Sequence, residues 1–133
     1  MLNELKSRHR EATEEIESIY FGGGTPSLLE PFEIKRFLKG IFEKYTISNN
    51  AEITLECNPE DLSPQKLSQW RALGINRLSI GVQTFNDQTT KWLNRSHNRS
   101  QAIRGINRAK AEGFKNISLD LIFALPGLNL IDL

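Results

Sequence analysis

Residues able to bind a small charged molecule recur at or near the carboxyl ends of the predicted strands. They carry two carboxylates, an amide, a hydroxyl and exposed backbone, and in chain order they are Gly23, Gly24, Thr25, Glu56, Gln83 and Asp120. Carboxylates and amides bind ammonium groups and ribose hydroxyls, and glycine lets backbone N–H and C=O groups approach a ligand. These residue types therefore favour a polar, nucleoside-like ligand over an apolar one.

Arg95 lies twelve residues after Gln83 and can clamp a carboxylate through two parallel hydrogen bonds. The stretch GGGTP at 22–26 is neither the dinucleotide-binding fingerprint nor a P-loop. The two histidines, His9 and His97, are isolated and are predicted to be polar surface residues. The sequence thus contains no strong competing motif.

Three other side chains are predicted to have structural roles. Cys57 falls on the apolar face of its strand and is expected to be a small core residue. Trp70 and Trp92 recur with other apolar residues at helical spacing and are expected to pack in the core.

Composition restricts the class of protein. The 133 residues, 38% of them hydrophobic and 25% charged, suit one soluble globular domain. A single cysteine excludes an internal disulfide and suits a reducing compartment, so a cytoplasmic location is predicted. No apolar run reaches the roughly 18 residues needed to cross a bilayer, and the N-terminus lacks the apolar centre of a secretory signal.

Positive charge is concentrated between residues 91 and 115, where seven Lys or Arg residues accompany one acid, Glu112. Such a segment can meet phosphates, but it contains almost no interleaved aromatic residues. A solvated helix face is therefore the preferred interpretation, and nucleic acid is not an expected partner.

The hydrophobic pattern predicts strands alternating with helices. A polar helix at 3–15 precedes a core at 16–128, whose four strands are 16–21, 51–57, 77–83 and 116–123. Such alternation is typical of parallel βαβ units with right-handed crossovers. Strands laid down in sequence order place all helices on one side, which predicts an α/β partial (βα) barrel in a single incomplete domain, 1–133.

Alternate side chains of a strand point to opposite faces of the sheet. One predicted face is apolar and should lie under the helices: Ile53, Leu55, Cys57, Leu78, Ile80, Val82, Ile117, Leu119 and Leu121. The other is small and polar: Glu52, Thr54, Glu56, Arg77, Ser79, Gly81, Gln83, Ser118, Asp120 and Ile122. That face must meet water or a polar ligand. An open two-layer sheet and a ligand-lined barrel both satisfy this pattern.

Five ordered motifs carry a family resemblance: YFGGGTPS, ITLECNPEDLS, RLSIGVQTFND, LNRSH and NISLDLIFALPG. Over residues 16–128 they resemble the oxygen-independent coproporphyrinogen III oxidases, which are radical S-adenosylmethionine (SAM) enzymes, and especially their heme-chaperone-like branch. The resemblance implies about four βα units of a partial barrel, SAM as cofactor, and porphyrin or heme handling in the parent protein.

By motif matching, the resemblance implies that seven residues contact SAM: Gly23, Gly24, Thr25, Glu56, Gln83, Arg95 and Asp120. The glycine edge and a carboxylate would hold the ammonium group, and Arg95 would pair with the methionine carboxylate. Gln83, with Asp120 or Glu56, would take the ribose hydroxyls.

One departure from the family is decisive for activity. The family binds a four-iron four-sulfur cluster through C-x3-C-x2-C, whereas this chain has one cysteine. We therefore expect a fragment or truncated form that is not catalytically competent alone. Residues 16–21 would then form an exposed parallel edge strand and favour self-association.

Two other functions remain open at this point. One is a non-catalytic heme- or partner-binding module. The other is a phosphate-binding barrel that uses GGGTP as an anion site, although Glu56 and Asp120 on the same rim would repel an anion.

Overall fold

The computed structural model describes residues 2–8, 11 and 14–125. Four strands alternate with helices along the chain: α1 Leu2–Arg8, β1 Ile16–Phe21, α2 Pro31–Phe42, β2 Ile47–Cys57, α3 Pro64–Ala72, β3 Arg77–Gln83, α4 Asp87–Trp92, α5 Arg99–Ala111 and β4 Asn116–Leu121. Short 3-10 turns at Pro26–Leu28 and Pro59–Asp61 follow β1 and β2.

The four strands form one parallel sheet in the order β1-β2-β3-β4. This confirms the predicted α/β class with strands laid down in sequence order. Among the described residues, β1 and β4 are the two edge strands of the sheet. The exposed β1 edge is the one predicted to promote self-association, which stays a prediction.

Local sequence explains where the helices begin. Pro31 and Pro64 occupy first turns, where their missing N–H groups cost nothing. The Ser63 hydroxyl accepts a hydrogen bond from the Lys66 amide, and the Asn98 side chain accepts one from the Gln101 amide. The first helix ends at Arg8, and Glu14 and Glu15 lie outside it, so it is shorter than the predicted 3–15.

The core lies between the helices and the predicted apolar face. Leu55, Leu78 and Ile80 are fully buried there, against helical residues such as Ile34 and Trp70. Burying large apolar side chains in this way supplies most of the driving force for folding. The packing role predicted for Trp70 is thus confirmed.

Three expected core residues are exposed. Leu119 and Leu121 in the edge strand β4 are 38% and 43% exposed, since no helix follows β4 among the described residues to cover that face. Trp92, at the end of α4, is 67% exposed, so its predicted packing role is wrong. The short helix α4 buries Thr90 instead.

No helix among the described residues has the length and apolar character needed to cross a membrane.

Candidate functional site

The carboxyl ends of the strands surround an open cavity of about 190 Å³. Six of the seven residues predicted from the sequence line it: Gly24, Thr25, Glu56, Gln83, Arg95 and Asp120. The seventh, Gly23, does not line the cavity itself. Its backbone N–H donates a hydrogen bond at 3.1 Å to Oε2 of Glu56, which does. The fold therefore brings the predicted residues together.

The three glycines after β1 have different physical roles. Gly23 and Gly24 have φ of +79° and +61°, in the left-handed region that other residues rarely adopt. At Gly22, an added Cβ would lie 2.7 Å from the Tyr20 ring and 3.1 Å from Oε1 of Glu56. The glycines thus permit both the turn and the close approach of the chain to Glu56.

Glu56 is held by two donors from the first strand and its loop. The Tyr20 hydroxyl donates to Oε1 at 2.8 Å, while the Gly23 amide donates to Oε2. The hydrogen bond to this carboxylate raises the pKa of Tyr20. The carboxylate is thereby oriented at the edge of the cavity, with lone pairs left for a ligand.

Asp120 is held in a similar way by a hydroxyl group. The Ser79 hydroxyl lies 3.2 Å and 3.1 Å from the two carboxylate oxygens of Asp120, and the Ser118 hydroxyl donates in turn to Ser79 at 3.1 Å. Within the described part of the chain, neither Asp120 nor Glu56 forms a salt bridge. Two carboxylates therefore face one cavity without a protein cation paired to either.

Gln83 and Arg95 reach the cavity from irregular backbone. Gln83 ends β3 with φ of +68°, at a break in the β3–β4 register. Arg95 is exposed, follows Asn94 with φ of +53°, and its amide donates to the carbonyl of Thr90 at 3.0 Å. Such strained backbone persists only where its surroundings hold it, which is common at binding sites.

Sequence analysis missed several residues that shape the cavity. Asn58, Ser79 and Gly81 line it, and Tyr20 holds Glu56. Ser79 and Gly81 were already on the predicted polar face, so strand parity was an available signal. An added Cβ at Gly81 would lie 3.0 Å from Nε2 of Gln83 and 3.3 Å from Oδ1 of Asn58, a closeness that only the fold reveals.

His97 is not the surface residue that was predicted. It is 4% exposed, with one ring nitrogen 3.1 Å from a carboxylate oxygen of Glu60 and the other 3.1 Å from the carbonyl oxygen of Val82. The second histidine, His9, lies outside the described residues.

The residues present do not fit an iron–sulfur cluster. Cys57, the single cysteine of the sequence, is 4% exposed, and its thiol donates to the carbonyl of Ser79 at 3.7 Å. Burial raises the pKa of this thiol, which keeps it protonated and confirms its role as a core residue. In the part of the chain that the structure describes, no three His, Cys, Asp or Glu residues are grouped to hold a metal ion.

Comparison with known sequences identifies relatives along most of the chain. The Radical SAM superfamily model matches residues 2–133. The heme chaperone HemW of Buchnera aphidicola (subsp. Schizaphis graminum) is 44% identical over 118 residues, covering 89% of this chain and 31% of that protein. HemW of Escherichia coli is 36% identical over 116 residues, with 87% and 31% covered. The chain thus spans about a third of the length of these curated relatives.

Solved structures agree with the sequence relatives. Coproporphyrinogen III oxidase HemN of Escherichia coli, a radical SAM enzyme, superposes with a TM-score of 0.87 at 32% identity, over 98% of this chain and 30% of that one. The Elp3 protein of Methanocaldococcus infernus shares the fold, with a TM-score of 0.76 at 22% identity. The parallel sheet therefore matches part of the radical SAM barrel, and the parent family uses SAM and a four-iron four-sulfur cluster. On this evidence the chain belongs to the radical SAM superfamily, with HemW and HemN among its relatives.

Proposed function

We propose that the cavity binds SAM, and that this chain is the SAM-binding part of a radical SAM protein concerned with porphyrin or heme. One observation carries the proposal: Glu56 and Asp120 line a single cavity together with the cationic Arg95, and neither carboxylate forms a salt bridge among the described residues. SAM carries an ammonium group, a carboxylate and two ribose hydroxyls. These groups match the carboxylates, the amide and the guanidinium group that line the cavity.

The proposed contacts are those that the family resemblance implies, and the donors and acceptors that line the cavity are compatible with them. Glu56 and the edge formed by Gly23 and Gly24 would accept and orient the ammonium group, since Tyr20 and Gly23 already hold that carboxylate in place. Arg95 would pair with the methionine carboxylate. Asp120 and Gln83 would bind the ribose hydroxyls, for which a carboxylate is a strong acceptor.

We further propose that this chain does not cleave SAM by itself. Reductive cleavage in the family needs a cluster held by several thiolates. The only thiol of this chain is buried, protonated and engaged with a backbone carbonyl. The chain's residues would therefore bind and orient the cofactor, and the cluster ligands would have to come from other residues.

Isothermal titration of the chain with SAM tests the binding proposal. We expect saturable heat with one site, and competition by S-adenosylhomocysteine, which retains the carboxylate, the ammonium group and the ribose. Methionine and adenosine added separately should bind more weakly, because each presents only half of the charge and hydroxyl pattern. Absence of heat at millimolar SAM, with a folded chain by circular dichroism, would contradict the proposal.

Heme binding is a second candidate because the relatives are named heme chaperones. Neither Cys57 nor His97 is available as an axial ligand in this fold, since both are buried and hydrogen-bonded. Hemin titration followed at the Soret band tests it. A Soret shift that SAM does not affect, and that survives substitution of His97 and Cys57, would support a separate heme site.

A phosphate-binding barrel is the least supported candidate. The Gly23 amide, which an anion would need, already donates to Glu56, and Asp120 lines the same cavity. Both carboxylates would repel a phosphate. Inorganic phosphate is therefore expected neither to bind nor to displace SAM.

A further inference from the structure

A buried histidine connects three of the segments that line the cavity. The His97 ring contacts Glu60 in the turn after β2 and Val82 at the end of β3, and His97 itself belongs to the segment that carries Arg95. Glu60, Val82 and His97 thus lie within two residues of three cavity-lining residues, which are Asn58, Gln83 and Arg95 respectively.

Both neighbours of the ring are hydrogen-bond acceptors. The Val82 carbonyl can only accept, and so can an ionised Glu60 carboxylate. Burial raises the pKa of Glu60, but hydrogen bonds from Ser96, the backbone and His97, together with the positive charge of His97, outweigh it, so the pKa lies below its ordinary value. With two acceptors facing it, the ring makes both hydrogen bonds only when each nitrogen carries a hydrogen. That species is the imidazolium cation.

Among the described residues, Glu60 is the one charged group that forms a salt bridge with the His97 ring. Ser96, next in the chain to Arg95, also donates its hydroxyl to Glu60. The segment that carries Arg95 is thus attached to the turn after β2 through two consecutive side chains.

We propose that His97 is a positioning residue: as an imidazolium bonded to Glu60 and to the Val82 carbonyl, it sets the spacing of the segments that carry Asn58, Gln83 and Arg95. The inference rests on the proposed SAM site. Loss of the ring proton would leave a nitrogen lone pair facing an acceptor oxygen, which is repulsive, and would release the Arg95 segment. Affinity for SAM should therefore fall when the ring cannot donate both hydrogen bonds.

The first test needs no ligand. Long-range ¹⁵N–¹H correlation spectra of the His97 ring in the folded chain, recorded under the conditions of the binding experiment, should show both nitrogens protonated. A ring with one bare nitrogen would overturn the inference.

The second test measures SAM affinity in the wild type, His97→Gln and the control His9→Gln. We expect His97→Gln to bind about fivefold more weakly, at the lower limit of typical coupling between sites, and His9→Gln to bind as the wild type does. Equal affinities of the wild type and His97→Gln would overturn the inference.

Amide hydrogen exchange separates this inference from the proposed function. The amides of Asp61, Thr84 and Arg95 each donate within one of the three connected segments. In His97→Gln, or in Glu60→Gln should the first variant not fold, their protection should fall while that of Asn76, which donates to Ile53, stays unchanged. Unchanged protection would overturn the inference, whereas a wild type that fails to bind SAM would contradict the proposed function only.

Discussion

The polar face of the sheet has two halves, which differ in whether their charged groups are paired with groups of opposite charge. Toward the amino ends of the strands, Arg77 donates to Thr54 and Ser118 and lies 3.7 Å from Glu52, which also accepts from Asn116. Toward the carboxyl ends, Glu56 and Asp120 accept hydrogen bonds from hydroxyl and amide groups. The first half neutralises its own charge, while the second holds two carboxylates without a paired cation among the described residues.

This difference separates a structural network from a binding surface. Polar groups that pair with each other lose little free energy when water is excluded. The amino half can therefore be buried at the amino ends of the strands. Carboxylates that are oriented but not neutralised keep their affinity for an external cation. The same strands thus provide a stable base at one end and a cavity for an ammonium-bearing ligand at the other.

The largest expected effect is on ligand affinity at the carboxyl half. Glu56→Gln removes a charge that we expect to contact the ammonium group, and hydrogen bonds to charged groups contribute about 1.5–3 kcal/mol. SAM affinity should therefore fall by about ten- to a hundredfold, since about 1.4 kcal/mol corresponds to tenfold. Glu52→Gln, the matched change in the same strand and on the same face, should leave the affinity unaltered. Equal losses of SAM affinity in the two variants, measured by titration calorimetry, would contradict the distinction between the two halves.

Arg77→Met makes the converse change at the amino half. It removes two hydrogen bonds and one salt bridge while keeping an unbranched side chain, and it leaves the buried Thr54 hydroxyl without its donor. The free energy of unfolding should fall by about 1–3 kcal/mol, with SAM affinity retained in the folded fraction. Urea denaturation followed by circular dichroism measures the first quantity. A variant of unchanged stability that no longer binds SAM would assign Arg77 to the ligand site.

The smallest expected effect is a loss of stability in acid that originates at Glu60. Its pKa in the folded chain lies below the ordinary value of 4.5, so the carboxylate stabilises the fold at higher pH and loses this contribution as the pH falls below that value. The thermal midpoint should therefore decline less in Glu60→Gln than in the wild type when the pH is lowered from neutrality to about 3.5. A decline of the same size in both would show that Glu60 does not contribute.

Much of the fold could be predicted from the sequence because its signals are local. Alternation of apolar residues predicted β1 and β3 at their observed bounds. Pro31, Pro64 and Asn98, which lie where helices begin, are signals of the same local kind. Strand parity separated an apolar face from a polar one. The exposure of Leu119 could not be read in this way, because parity indicates which face a side chain is on but not whether anything covers that face.

The sequence by itself determined which residue types reach the cavity: carboxylates, an amide and glycines placed where parallel strands end, a pattern set by chain order and strand periodicity. Only the tertiary structure decided which of those groups are already paired. The Tyr20–Glu56, Ser79–Asp120 and His97–Glu60 contacts each join residues more than thirty positions apart. Such pairings depend on strand register and turn geometry, which no local pattern encodes, and they distinguish carboxylates available to a ligand from those that hold the protein together.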